Sequence, residues 1–278
     1  MKSVKGKTVL VTGSAMGMGR MFAARAVAEE AAAVVLWDIN EEALNATVEA
    51  LATSGTAVSG YVVDVSDLDS IREAAAWVRD DVGDVEVLIN NAGVVRGNSY
   101  FWESDSVRDT KFTIDINTLA PMYVAREFLP AMVNGSAECR LVNLASAAGF
   151  TANPRMAAYA GSKWAVIGWS DSVRLELEQA KAKHVKVTTV CPYYVNTGMF
   201  DGAKSAPLLP ILEPEHVVDE AWKGMCQGSA FVILPRAVVL SEIMKGIIPI
   251  GLRDFIAGNI IGVYHTMDDF KGRAGKQA

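Results

Sequence analysis

Residues 9–20 read VLVTGSAMGMGR. A short β-branched and apolar run ends at Gly13, two more glycines follow at 17 and 19, and a helical pattern opens at Arg20. Glycine lets backbone come close to a pyrophosphate, and the start of a helix offers unpaired N–H groups and positive potential. A strand, a glycine-rich turn and a helix in that order form the opening unit of a nucleotide-binding α/β sheet. The spacing is G-x3-G-x-G and not the G-x-G-x-x-G of many dinucleotide folds, so the surroundings must carry part of the reading.

Outward from this turn, short apolar runs alternate with longer amphipathic ones. KTVLVTG, AVVLWD, AVSGYVVDV, VEVLINNAG, CRLVNLAS, VKVTTVCP and AFVILP read as seven strands, each largely apolar, as parallel strands covered on both faces should be. Between them lie helical patterns such as DSIREAAAWVRDDV and YAGSKWAVIGWSDSVRLELEQA. The alternation predicts an α/β, doubly wound, Rossmann-type three-layer sandwich with a seven-stranded parallel sheet. Residues 1–278 form a single domain with no repeat or linker. Residues 192–214 carry four of the nine prolines and predict a loop over the strand ends, a lid on the ligand side of such a sheet. Residues 236–278 follow the last strand as a C-terminal extension.

The chain has 278 residues and a formal net charge of −6. That length buries a core without disulfide or metal support. The acidic balance, with no basic run, excludes nucleic acid as the expected partner. Cys139, Cys191 and Cys226 share no CxxC spacing and read as small buried hydrophobes in a reducing compartment. The three histidines are scattered, and no metal is expected. The first strand starts a few residues after Met1, which predicts no signal peptide and a cytoplasmic protein. The apolar stretch IMKGIIPIGLRDFIAGNIIGV, residues 243–263, is interrupted by Lys245, Pro249, Arg253 and Asp254 and does not read as a membrane span.

The second strand ends at Asp38, nineteen residues past Gly19. A carboxylate there can accept hydrogen bonds from the ribose hydroxyls of NAD and would repel the 2′-phosphate of NADP. The reading favours NAD and leaves NADP as the disfavoured alternative; a plain helix cap is the competing role, shared with Asn40. Asp64, ending the third strand, falls where the adenine would lie.

The stretch AAYAGSKWAV, residues 157–166, places Tyr159 and Lys163 four apart, on one helix face. A phenol has a pKa near ~10, and lowering it by ~3 units takes ~4 kcal/mol. A cation ~4 Å away supplies ~4 kcal/mol at an effective dielectric of ~20. The spacing therefore predicts a tyrosine acid/base made acidic by a partly buried lysine, with Ala160, Gly161 and Ser162 small enough to admit a cofactor ribose. Ser146, at the end of the fifth strand, can hold a substrate oxygen for proton exchange with Tyr159.

These motifs together resemble the short-chain dehydrogenase/reductase family over nearly the whole chain: TGSAMGMG (12–19), NNAG (90–93), Asn117 in IDINTLA, Ser146, YAGSK (159–163) and CPYYVNTGM (191–199). The resemblance implies a catalytic tetrad of Asn117, Ser146, Tyr159 and Lys163. In it Tyr159 is the acid/base, Ser146 orients the substrate oxygen, Lys163 binds the nicotinamide ribose and Asn117 holds a relay water. It also implies a dinucleotide lying along Gly13, Ser14, Met16, Gly17, Met18, Asp38, Ile39, Asp64, Val65, Asn91, Ala92, Gly93, Pro192, Val195, Thr197 and Met199. Two positions depart from the common pattern. Tyr193 stands where glycine is usual, putting a ring at the pocket mouth, and Ala145 stands where a second serine is usual.

The C-terminal quarter resembles the branch of retinol and 17β-hydroxysteroid dehydrogenases of the epidermal retinal dehydrogenase type, which handles bulky apolar alcohols and ketones. Many of its members begin with a hydrophobic membrane-targeting segment that is missing here. Tyr193, Tyr194, Met199, Phe200, Leu208, Leu209, Ile211 and Leu212 make the loop after the sixth strand apolar, with Tyr193, Tyr194 and Phe200 as pocket residues for a lipophilic substrate. Residues 243–263 have the character to rest on a membrane surface, although packing on the subunit or a neighbour is the preferred expectation. By resemblance alone, long helices near 105–133 and 158–181 form a homodimer or homotetramer interface. An NADP-dependent carbonyl reductase and a non-catalytic dinucleotide-binding regulator are the alternative readings.

Overall fold

The computed structural model describes residues 1–52, 55–206, 209–270 and 272, so Leu208 of the expected apolar loop and the last residues of the extension lie outside the described residues. The seven expected strands are all present: β1 (Thr8–Thr12), β2 (Ala33–Asp38), β3 (Ala57–Val62), β4 (Val87–Asn90), β5 (Cys139–Leu144), β6 (Val185–Pro192) and β7 (Phe231–Leu234). They form one parallel sheet in the order β3-β2-β1-β4-β5-β6-β7. The chain starts near the middle, winds out to β3, returns to β4 and winds out to β7. That reversal opens a crevice between β1 and β4 at the C-terminal strand ends, the place where such sheets bind ligands.

Successive strand residues point to opposite faces, and both faces are covered. Val9, Val11, Val34, Leu36 and Ile89 pack against α1 (Gly17–Ala28) and α7 (Pro214–Gln227), whose Phe22 and Trp222 rings stack at 6.4 Å. Leu10, Val35, Trp37, Leu88 and Leu141 pack against α3 (Leu68–Asp81), α5 (Ala120–Asn134) and α6 (Ala157–Gln179). The edge strand β3 is the exception. It exposes Ala57 and Val62 although its sequence reads as apolar, because no further strand covers its outer side.

Helix ends follow their capping residues. Asn40 accepts from the Ala43 N–H at the start of α2 (Glu41–Leu51), and Asp67 from the Asp69 N–H at the start of α3. Pro214 opens α7, and Gly228, at φ 72°, closes it. The α1 N-terminus differs: its cap, Met16, gives no side-chain hydrogen bond, and no acidic residue lies in the first turn.

The segment expected as one helix over 105–133 is a composite rod. Two π-helical stretches, Ser106–Lys111 and Asp115–Leu119, flank a single α turn, α4 (Phe112–Ile114), before α5 continues. Beyond β7, the extension folds as α8 (Ala237–Lys245), α9 (Ile250–Phe255) and a π turn (Ile256–Ile260). Among the described residues no helix is long and apolar enough to cross a membrane.

Candidate active site

The glycine turn is shaped by contacts that leave no room for side chains. A Cβ on Gly19 would stand 2.0 Å from the Gly13 carbonyl oxygen, and one on Gly13, at φ +63°, would stand 2.8 Å from Ala92 Cα. Thr12 ties the neighbouring loop to this turn, its hydroxyl accepting from the Asn91 and Ala92 N–H groups at 3.1 Å each. Asn91 donates in return to the Thr12 and Gly13 carbonyls. Gly17, at φ +54°, faces open space bounded by Thr197 Cβ at 4.0 Å from where its own Cβ would be. The loop after β6 therefore comes down over the start of α1, whose first-turn N–H groups no capping side chain claims. This cleft, with backbone donors on one wall and glycines that admit close approach, fits a pyrophosphate.

Asp38 stands at the edge of the same cleft. One carboxylate oxygen accepts from the Ala15 N–H at 2.9 Å and the other from the Asn40 N–H at 3.0 Å. Each oxygen keeps a lone pair, so the group fixes the turn and still offers acceptors to a ribose. Asn40, and not Asp38, is the helix cap. Ile39 and Met16 are exposed beside it, whereas Ser14 turns inward to donate to the Trp37 carbonyl. Ser14 therefore shapes the turn from behind. Asp64 accepts from the N–H and hydroxyl of Ser66, and Val65 packs into the core next to it. Met18 packs into the opposite core face.

The tetrad residues converge at the C-terminal ends of β4 and β5. Tyr159 and Lys163 share the inward face of α6, each 5% exposed, with the Lys163 ammonium 5.8 Å from the phenol ring centroid. Lys163 donates to the Leu144 carbonyl at 2.8 Å. Ser146 accepts from the Ala148 N–H and donates to the Pro192 carbonyl, which links β5 to β6. Gly93 closes the group, since a Cβ there would meet Asn117 Oδ1 at 3.3 Å and Lys163 Nζ at 3.7 Å.

The protonation states differ from the sequence expectation. Burial pushes the Tyr159 phenol up to about 12, with the hydrogen bond to Ser146 pulling the other way. Burial also pushes Lys163 down to about 8. The lysine does not depress the phenol here: it is itself desolvated, stands well back from the ring and is held by a carbonyl. Cys191, buried beside Lys163, is pushed up and stays a neutral thiol.

Asn117 is anchored on two sides. The π-helical turn carries it inward, where it is 1% exposed. Its Oδ1 accepts from the Val94 N–H at 2.8 Å, and its Nδ2 donates to the Val94 carbonyl and to Ser162 Oγ. Both amide hydrogens are committed, so the side chain staples the loop after β4 to α6. Ser162 is likewise a working member: it also donates to the Tyr159 carbonyl at 2.6 Å. Its i+3 spacing from Tyr159 is the signal that could have found it. Thr12 carried no such signal.

The substrate side is a cavity of ≈ 240 Å³ that begins at Ser146. Tyr193 and Tyr194 line it as expected, with rings 4.4 Å apart. Phe200 does not line it; its ring packs edge-on against Tyr159 at 6.0 Å and covers the phenol. Pro192 and Val195 hold this loop in place, Val195 bridging to Leu212, and half-buried Met199 precedes Phe200. The far wall comes from the C-terminal extension, with Val238, Leu240, Ile256 and Val263, which the sequence reading did not assign to the pocket. Asn153 and Thr266 brace Tyr194 through hydrogen bonds at 2.8 and 3.0 Å.

A family model described as short chain dehydrogenase matches residues 7–207. The chain is 35% identical over 272 residues to epidermal retinol dehydrogenase 2 of Homo sapiens, covering 97% of this chain and 86% of that protein. It is 36% identical over 248 residues to estradiol 17-beta-dehydrogenase 11 of Pongo abelii, covering 89% and 81%. Among solved structures, a short chain dehydrogenase/reductase from Burkholderia phymatum in complex with NAD superposes with a TM-score of 0.80 at 26% identity, covering 88% of this chain and 95% of that one. A metagenomic short-chain oxidoreductase in complex with NADP gives 0.70 at 26% identity, covering 83% and 97%. With the family model and the relatives in agreement, the chain belongs to the short-chain dehydrogenase/reductase family and is a nicotinamide-dependent oxidoreductase acting on CH–OH groups.

Proposed function

We propose that the protein is an NAD-dependent dehydrogenase of a lipophilic secondary or allylic alcohol, or a reductase of the matching ketone, with Tyr159 as the acid/base. The observation that carries this reading is the continuity between Ser146 and an apolar cavity walled by Tyr193, Tyr194 and the C-terminal helices. An apolar pocket that meets a hydroxyl at one end suits a hydrophobic molecule with one reacting oxygen. The names of the relatives, retinol and estradiol dehydrogenases, point to the same substrate class. NAD is favoured because Asp38 presents a carboxylate at the end of β2, where a 2′-phosphate would be repelled.

The nicotinamide supplies the hydride acceptor and, when oxidised, a positive charge. The chain's own residues do the rest. Ser146 orients the substrate oxygen and Tyr159 takes its proton. Lys163, fixed on the Leu144 carbonyl, binds the nicotinamide ribose, and Phe200 packs over the phenol and keeps water from it. Because burial holds Tyr159 at about 12, alcohol oxidation should speed up as pH rises from neutrality.

The test is initial rate with NAD and with NADP over retinoid, steroid, aliphatic and aromatic alcohols, beside Tyr159→Phe. The expected outcome is turnover with NAD on bulky apolar alcohols, and a loss in Tyr159→Phe on the scale of acid–base catalysis, ~10²–10⁴-fold, with NAD still bound. A preference for NADP would sink the cofactor assignment, and a near-normal rate in Tyr159→Phe would sink the mechanism.

A further inference from the structure

We infer that Arg253 is a substrate-binding residue, and that the lipophilic substrate carries an anionic group, best a carboxylate, at the end remote from its reacting oxygen. This rests on the alcohol dehydrogenase reading and narrows it. Eighteen residues line the cavity, and Arg253 is the one formally charged side chain among them. It lies on α9, on the C-terminal wall, whereas Ser146 lies on the body of the sheet. The remaining wall is aliphatic and aromatic apart from Thr151, Asn153 and tyrosine hydroxyls.

A guanidinium facing an apolar wall is costly unless it has partners of opposite charge. Arg253 has one, and the geometry is poor. Its Nε and Nη2 both donate to a single oxygen of the adjacent Asp254, at 2.9 and 2.8 Å. Tyr264 donates to that same oxygen at 2.9 Å. A fork-on-fork pair would use both carboxylate oxygens, and this one does not. Among the described residues Nη1 has no hydrogen-bond partner. The side chain is 32% exposed, which places it at the cavity mouth, open to a ligand arriving from solvent. A long molecule with its alcohol at Ser146 would therefore bring its other end to a planar donor with spare valence, and a carboxylate matches that shape.

The experiment compares a medium-chain fatty acid hydroxylated at its penultimate carbon with its methyl ester, which differs only in charge and in the acceptor geometry of one end. The wild type should prefer the acid in kcat/KM. In Arg253→Gln the acid-to-ester ratio should fall roughly fivefold, the scale of a half-exposed ion pair. Asp254→Asn, which leaves the guanidinium in place and removes its competing anion, should raise the ratio. A ratio near one in the wild type, or one indifferent to both substitutions, overturns the inference. Turnover of steroid or retinoid alcohols with none of either fatty compound overturns it too, while leaving the dehydrogenase reading intact. A second readout is independent of turnover: an unhydroxylated fatty acid should raise the melting temperature of the NADH-loaded wild type more than its methyl ester does, and Arg253→Gln should erase that difference. Failure of all alcohols to turn over, with this difference still present, would count against the reaction and not against the carboxylate site.

Discussion

Lys163 is a residue held in a state that folding alone would not choose. Between its folded value of about 8 and the ordinary lysine value of 10.5, the unfolded chain binds a proton that the folded chain has released. Stability therefore rises with pH across that window, and below it the buried ammonium is a cost. Tyr159 has the opposite sign. Its folded phenol keeps its proton to about 12, so the unfolded chain ionises first and stability falls as pH climbs above 10. Lys163→Met should remove the lysine cost at the expense of leaving the Leu144 carbonyl unpaired. The shift is worth ~3 kcal/mol and the lost hydrogen bond ~1–3. The variant should thus be inactive yet about 1 kcal/mol more stable at pH 7. Urea melts at pH 7 and near pH 10 check this, and the gain should vanish at the higher pH. The pairing of Tyr159 with Lys163 was legible in sequence because i and i+4 share a helix face. Their protonation was not, because it depends on desolvation by loops after β4, β5 and β6 that no local spacing reports.

At the scale of elements, the seven strands were legible as apolar runs, and the glycine turn as a motif. The composite rod was not. Ser106–Leu119 has ordinary helical composition, and nothing in it announces π-helical turns. Yet the wider turn is what carries Asn117 inward to Val94 and Ser162. Glycines show the same contrast between composition and context. Gly161 and Gly168 lie within α6 with open space around them, and Gly19 lies in α1 against the Gly13 carbonyl. Gly161→Ala and Gly168→Ala should each stabilise the fold by about 0.5–1 kcal/mol, the propensity difference in a helix interior. Gly19→Ala should distort the turn, with loss of NAD binding; normal NAD binding by that variant would contradict the cleft assignment. Thermal melts and dinucleotide titration of the three variants check both directions together.

On the scale of the whole molecule, the sheet body was legible and the C-terminal wall was not, because α8, α9 and the π turn carry apolar residues on outer as well as inner faces. Ile247, Ile250 and Phe255 are 75%, 69% and 55% exposed. Exposed apolar side chains clustered in one short segment favour association. Ile250→Glu should reduce concentration-dependent self-association in sedimentation velocity while leaving helical content unchanged; undiminished association would place the contact elsewhere. The cavity itself spans a division in the chain. Its Ser146 end falls inside residues 7–207, the part that matches the family model, while Ala237, Val238, Leu240, Ile248, Arg253 and Val263 fall beyond it. The matched stretch thus holds Ser146 with Tyr193 and Tyr194, and the tail supplies the far wall. A lineage can therefore edit its diet through the tail while the body stays put, and a chimera carrying a relative's tail on this body should lean toward that relative's taste without relearning how to move a hydride.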